Sequence, residues 1–324
     1  MSTLSKSAAI VNLVLRFVMK PAGMPTKPTV NRFKRAAWRF KQMERLNRLP
    51  RKVKITPDKL PGFDAEWVDA GNALPSRVML YFHGGAYFMG SPKSHRELTW
   101  RLAETARCRV FAINYRQLPD STFPCWIEDA ITAYRYLLQQ GYNAADIVLA
   151  GDSAGGNLVL TALMSIRDSG YPMPLAAICI SPWTDLSCSG STFLSNHEND
   201  CMLRTEALTA IGQYIATSSG YDIRDPKLSP LFGSFKDFPP LLVHVSDQEI
   251  LLDDARALVV AARRDGAKVS YKEFSGLAHV FHIFAAYVPE SQAAINEIGE
   301  FVKNAFRDAG RGYLEMPSPV LERV

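Results

Sequence analysis

Beyond Pro50 the chain alternates short apolar runs with longer stretches whose apolar residues recur at helical spacing. The short runs, each of strand length, cover residues 63–68, 77–82, 109–114, 147–150, 175–180, 241–245 and 269–274. Between them, stretches such as 126–140, 153–168 and 252–264 predict amphipathic helices; in the second, Leu158, Leu160, Ala162, Leu163 and Ile166 fall at helical intervals. Strand and helix in alternation predict an α/β fold, a mostly parallel central sheet with helices on both faces. Two stretches break the rhythm. Residues 1–50 carry no strand pattern, and 185–221 is an insertion rich in Ser and Asn with one helical segment near 205–216. Connections this long usually serve function. Together they predict a helical cap: an N-terminal cap segment over 1–50, a main domain over 51–324, and a cap insertion at about 186–220.

Charge sharpens this division. Residues 1–54 hold 14 Lys or Arg against the single acid Glu44, while the remainder holds 23 against 31, so the net +5 conceals two opposite parts. Arg32, Lys34, Arg35, Arg39, Lys41, Arg45 and Arg48 interleave with Phe33, Ala37, Trp38, Phe40, Met43 and Leu46, the pattern of a basic amphipathic helix. The favoured reading is a helix packed on the body with its basic face in water; a weak membrane-surface contact is the alternative. Nothing else in the chain supports a nucleic acid partner. Residues 8–19 are apolar but too few to span a bilayer and are interrupted by Asn12 and Arg16, and no cleavage site follows clearly. The five cysteines are odd in number and form no C-x-x-C pair, which suggests neither a zinc site nor a complete disulfide framework. A reducing compartment, and so a cytoplasmic location, fits this usage.

The chemistry is concentrated at Gly151-Asp152-Ser153-Ala154-Gly155-Gly156, between the apolar run 147–150 and a predicted helix. A serine between two glycines at a strand-to-helix turn describes a nucleophile elbow: strained dihedrals lift the hydroxyl clear of the sheet, and glycine is needed where a Cβ would meet backbone. His83-Gly84-Gly85-Ala86 directly follows the run 77–82, at the edge of such sheets where ligands bind. If Ser153 attacks a carbonyl, backbone N–H groups fixed there stabilise the developing oxyanion by about 3 to 4 kcal/mol per donor. The N–H of Ala154, next after the nucleophile, adds a donor by the geometry of the elbow.

These two stretches, with Ser181-Pro182-Trp183-Thr184-Asp185-Leu186, resemble the hormone-sensitive-lipase-like esterases of the α/β-hydrolase superfamily. The likeness runs from about Val78 to Phe301 and includes Asn114-Tyr115-Arg116, Phe123-Pro124 and Glu128-Asp129-Ala130. The resemblance implies an α/β-hydrolase fold and acyl-ester hydrolysis with no metal and no organic cofactor. It also implies that Gly85, Ala86 and Ala154 donate to the oxyanion, with Gly84 shaping the loop. The family's usual third glycine is Ala86 here, whose methyl group narrows the acyl site or shifts the loop.

A serine nucleophile needs a base, and triad order in this fold places histidine last. His279, after the run 269–274, can accept the Ser153 proton; His282 is its near rival, and His83 reads as a holder of the oxyanion loop. The remaining histidines read as solvated or structural. Aligned on the family's pattern, Glu249-Ile250-Leu251-Leu252-Asp253 selects Glu249 as the acid, 30 positions before His279, with Asp247 as the alternative. Asp253 and Asp254 suit the first turn of the next helix, where negative charge meets the helix dipole.

The expected function is that of a serine carboxylesterase acting on short- to medium-chain acyl esters through an acyl-enzyme. Tyr87, Phe88, Trp183, Phe193 and Tyr214 are the candidates for lining an apolar substrate pocket, although aromatic residues in such elements as often simply pack. Hydrolysis of lactones or amides such as N-acetyl groups on the same triad is the first alternative. A catalytically silent ligand receptor is the second. Relatives by resemblance often pair, and the run 269–274 near the sheet edge suits a homodimer.

Overall fold

The computed structural model describes residues 4–20, 24–44 and 49–311. Eight strands form one sheet: β1 (Lys54–Leu60), β2 (Phe63–Asp69), β3 (Val78–Phe82), β4 (Arg109–Asn114), β5 (Ile147–Asp152), β6 (Ala176–Ile180), β7 (Leu241–Ser246) and β8 (Val269–Phe274). Their spatial order is β1-β2-β4-β3-β5-β6-β7-β8. The pairs β1–β2 and β2–β4 are antiparallel, and every later pair is parallel. The seven runs read from the sequence all appear as strands. The eighth, β1, was not among them. Its sequence alternates exposed and half-exposed residues, contains Pro57, and buries only Leu60, as suits an edge strand with little apolar signal.

Helices cover both faces. On one side α3 (Arg96–Ala106) lies against α9 (Pro289–Phe306); on the other lie α4 (Cys125–Gln139), α5 (Ala154–Asp168) and α8 (Leu252–Arg264). Along β3 the pleat divides the core: Val78, Leu80 and Phe82 join the α4–α5 side, and Met79 and Tyr81 the α3–α9 side. All five residues of β3 are buried, as are all of β5, β6 and β7, the continuous burial expected of parallel strands covered on both faces.

The strandless stretches supply α1 (Lys6–Val14), continued as a wider helical turn over Leu15–Met19, and α2 (Val30–Met43), together with α6 (Thr192–Ser195) and α7 (Thr205–Ser219). The amphipathic pattern at 32–48 is found as α2, which buries Phe33 and Ala36 and turns its basic residues to water. Arg45, Leu46 and Arg48 lie outside the described residues. Phe33 joins the stretches, its ring 4.8 Å from Phe88 beyond β3 and 5.1 Å from Tyr214 on α7. On the other flank α1 packs on Leu277 and Phe281, and Leu15 on Ala278 and Cys201. Both therefore border the C-terminal edge of the parallel strands. Among the described residues no helix is long and apolar enough to cross a membrane.

Candidate active site

Strand β5 delivers the chain to Ser153 and α5 carries it away. Ser153 sits at φ 54° and ψ −119°, a left-handed backbone that costs a non-glycine residue on the order of 1–3 kcal/mol and persists only where its surroundings hold it. Here the Ser153 N–H donates to the Ile180 carbonyl at 2.8 Å, and the Ser153 carbonyl accepts from the Trp183 N–H at 3.1 Å. The flanking glycines are required by close approach: a Cβ on Gly155 would lie 2.0 Å from the Phe82 carbonyl oxygen, and one on Gly151 2.4 Å from that of Gly155.

Three side chains distant in sequence meet at this turn. His279 Nε2 lies 3.0 Å from Ser153 Oγ, and His279 Nδ1 lies 2.6 Å from Glu249 Oε2. The Glu249 carboxylate is wholly buried, and its other oxygen accepts from Ser181 Oγ and from the Ser246 N–H, each at 2.7 Å. Asp247, the competing acid, turns away and accepts from the Gly276 N–H at 2.8 Å and Ser275 Oγ at 2.7 Å. His282 is also elsewhere, its Nε2 3.2 Å from His244 Nδ1 in a buried pair. Burial alone lowers the pKa of His279. The charge and hydrogen bond of Glu249, with the charges of Asp200 and Asp152, outweigh burial and raise it above the ordinary 6.5.

The loop after β3 follows a tight course through Gly85, Ala86 and Tyr87, all at positive φ. Ala86, standing where relatives by motif carry glycine, keeps a left-handed φ of 51°. Among the described residues no acceptor meets the N–H of Gly85 or Ala86, whereas the Gly84 N–H is taken by Asp152 Oδ1 at 3.0 Å. His83 braces this loop. Its Nδ1 pairs with the Gly84 carbonyl at 2.8 Å, its ring stacks on Tyr115 at 4.4 Å, and burial beside His95 lowers its pKa to about 3.

Asp152 and His95 were not singled out in the sequence as site residues. Asp152 Oδ1 accepts from Tyr81 Oη at 2.6 Å as well as from Gly84, and Oδ2 lies 3.4 Å from His95 Nε2. Burial opposes both charges, yet each sustains the other: the pKa of Asp152 is lowered and that of His95 raised. The residue preceding the nucleophile thus anchors the loop that faces it. His95, expected to be solvated or structural, is buried and paired. Asn196 and Asp200 were missed as well: Asn196 Nδ2 donates to the Asp247 and Glu249 carbonyls at 2.9 Å each, and Asp200 Oδ2 accepts from the Ile250 N–H at 3.1 Å. A clue was their position inside the long insertion.

The aromatic candidates divide. Tyr87 stacks on Trp126 at 4.4 Å and donates to Asn157 Oδ1 at 2.8 Å, and Trp183 Nε1 donates to the Asp185 carbonyl at 3.1 Å. Tyr87, Phe88, Trp183 and Phe193 are all almost wholly enclosed, and of the five candidates only Tyr214 is part-exposed. Phe88 and Tyr214 meet across Phe33, and Phe88 also borders an open cleft of about 1020 Å³ beside α2 that Ser153 does not line. Ser153 itself is 7% exposed and His279 3%. Among the described residues no cluster of His, Cys, Asp and Glu is arranged to hold a metal ion.

Comparison with known proteins agrees with this geometry. A family model described as alpha/beta hydrolase fold matches residues 79–283. An acetyl-hydrolase of Streptomyces hygroscopicus is 43% identical over 242 residues, covering 74% of this chain and 80% of the relative. An esterase of Acinetobacter venetianus is 35% identical, covering 77% and 82%. Among solved structures, an esterase from the bacterial hormone-sensitive lipase family superimposes with a TM-score of 0.86 at 35% identity, covering 94% of this chain and 99% of that one. The esterase EstE5, soaked with p-nitrophenyl butyrate, superimposes with a TM-score of 0.85 at 33% identity over the same shares.

Proposed function

The chain belongs to the alpha/beta hydrolase fold family, among the hormone-sensitive-lipase-like esterases, and is a serine carboxylesterase; from that premise we propose that it cleaves short- to medium-chain acyl esters through an acyl-enzyme on Ser153. The observation that carries the mechanism is the continuous hydrogen-bonded chain from Ser153 Oγ through His279 to Glu249, at 3.0 and 2.6 Å. His279 Nε2 takes the Ser153 proton as Oγ attacks the ester carbonyl carbon. Negative charge moves to the carbonyl oxygen and is met by the N–H groups of Gly85, Ala86 and Ala154. As the tetrahedral species collapses, the bond to the alcohol oxygen breaks and the alcohol leaves with the proton from His279. Water then attacks the acyl carbon, His279 again accepts a proton, and the acid departs as Ser153 regains its hydrogen. Glu249 keeps Nδ1–H of His279 oriented and balances the transient imidazolium.

The short acyl preference is supported by the names of similar proteins, an acetyl-hydrolase and an esterase soaked with a butyrate ester, and by the enclosure of Ser153, 7% exposed. The strandless stretches act as a cap in this reading. The test is hydrolysis of p-nitrophenyl esters from acetate to palmitate. Activity should centre on short chains, fall by about four orders of magnitude or more in Ser153→Ala, fall strongly in Glu249→Gln, and survive in Asp247→Asn. A profile peaking at palmitate would sink the chain-length reading, and an active Ser153→Ala the mechanism. A homodimer along the outer edge of β8 and a cytoplasmic location are further proposals, the second supported by five free cysteines. Light scattering at micromolar concentration and cell fractionation test them.

A further inference from the structure

The first 43 residues hold nine Lys or Arg and no Asp or Glu. Of the eleven large apolar side chains that stand exposed among the described residues, seven belong to this stretch. Five of them, Ile10, Leu13, Val14, Phe17 and Val18, recur at the spacing of one helical face along α1 and its continuation, and Phe17 is 69% exposed. The opposite face is apolar too: Ala8 and Leu15 are buried against Leu277, Phe281 and Ala278. A helix apolar on both sides is expected to be covered on both, and here one side stands bare.

The charge says what covers it. A second copy docked through the same face would set Lys6, Arg16 and Lys20 of one helix against those of the other, with no acid in either helix and only Glu290 and Glu198 of the body at its two ends. A nucleic acid would have no use for the apolar stripe. An anionic lipid surface matches both features, taking up the apolar side chains at the headgroup boundary and the basic side chains among its charges. We propose that the outward face of residues 10–18 docks on anionic phospholipid membranes. Arg16 and Lys20 already stitch this helix to the body, donating to the carbonyls of Glu198 and Asn199 and of His197 and Asp200 at 2.6–2.8 Å, so the stripe is presented on a fixed element. Leu15 packs on Ala278, the neighbour of His279, so docking brings the His279 loop close to the surface into which amphiphilic esters partition. The docking surface stands independently of which ester is cleaved.

The test is sedimentation of the full chain with vesicles of equimolar phosphatidylglycerol and phosphatidylcholine, and with phosphatidylcholine alone. The chain should sediment with the anionic vesicles, far less with the neutral ones, and less as salt rises. Leu13→Asp with Phe17→Asp should lower the bound fraction at least about tenfold, since each side chain contributes the burial of a large apolar group. Both sites are exposed, so hydrolysis of p-nitrophenyl acetate without vesicles should match the parent. Reversal of the exposed Lys6 and Lys27 to Glu gives a second variant, expected to weaken anionic binding several-fold. No sedimentation of the parent, or sedimentation unchanged in both variants, overturns the proposal. So does a parent dimer that the Leu13 and Phe17 variant turns into a monomer, because a second copy would then occupy the face.

Discussion

In the proposed mechanism His279 must be neutral to accept the Ser153 proton, so its pKa sets where activity begins. Burial pushes that pKa down, but the Glu249 carboxylate and the charges of Asp200 and Asp152 bring it above 6.5. The acid limb of kcat/KM therefore lies above about pH 6.5, with rate lost below it. The same raised value lends the fold stability that is full below the unfolded pKa and lost as pH rises through the folded one. Asp200 is itself buried, and burial raises its pKa, so its charge on His279 is what a substitution can test. Asp200→Asn removes a negative charge without removing a triad partner, and the acid limb should move to lower pH in the profile for p-nitrophenyl acetate. A limb that stays in place would show that the imidazole does not feel Asp200. At this scale the sequence is legible where chemistry is local: the Ser153 elbow, the histidine after the last strand, and the Glu249 pattern ahead of α8 all announce themselves over a few residues. Asp152 lies within the elbow motif, yet its partners Tyr81 and Gly84 are 71 and 68 positions away, and no local pattern signals such a contact.

Among the elements, α7 approaches the chain leaving β6 at Gly212, where a Cβ would stand 2.3 Å from the Leu186 carbonyl oxygen. Backbone on both sides leaves little room to yield. Gly212→Ala should force α7 away from the segment that follows β6 and cost about 1–3 kcal/mol, as overpacking does. Thermal unfolding should read this as a lowered Tm, while Gln213→Ala on the exposed neighbour leaves it nearly unchanged. An unaltered Tm for Gly212→Ala would mean that α7 can draw back from Leu186 at no cost. Why most elements could be read, and β1 could not, has the same origin. The central strands are buried on both faces and so are written as unbroken apolar runs, whereas β1 owes its form to pairing with β2 from Lys54↔Asp69 to Leu60↔Phe63. The helix at 205–216 was read short because its last turn, through Ser219 to the left-handed Gly220, is polar and carries no periodic signal.

Taken whole, the molecule is electrically divided, with residues 1–54 contributing 14 − 1 = +13 and residues 55–324 contributing 23 − 31 = −8 to the net +5. The described positive residues fall in two places: Lys52 and Lys54 sit by Glu104 and Asp69 at the starts of the parallel strands, and the helices α1 and α2 sit at the opposite ends. Through Phe33 on Phe88 and Leu15 on Ala278, α2 and the continuation of α1 lie beside the loops that carry Gly85, Ala86 and His279. A field of one sign at the mouth of a site raises the local concentration of oppositely charged substrate and weakens as salt screens it. An ester bearing a carboxylate should therefore lose kcat/KM as sodium chloride is raised, while neutral p-nitrophenyl acetate loses little, so that the ratio of the two falls. A ratio independent of salt would show that the field of the basic N-terminal residues does not reach the substrate path. A falling ratio that persists in the Lys6 and Lys27 variant would place the steering charge on the cations that remain, Arg16 and Lys20 beyond α1 or Lys34, Arg35 and Lys41 on α2.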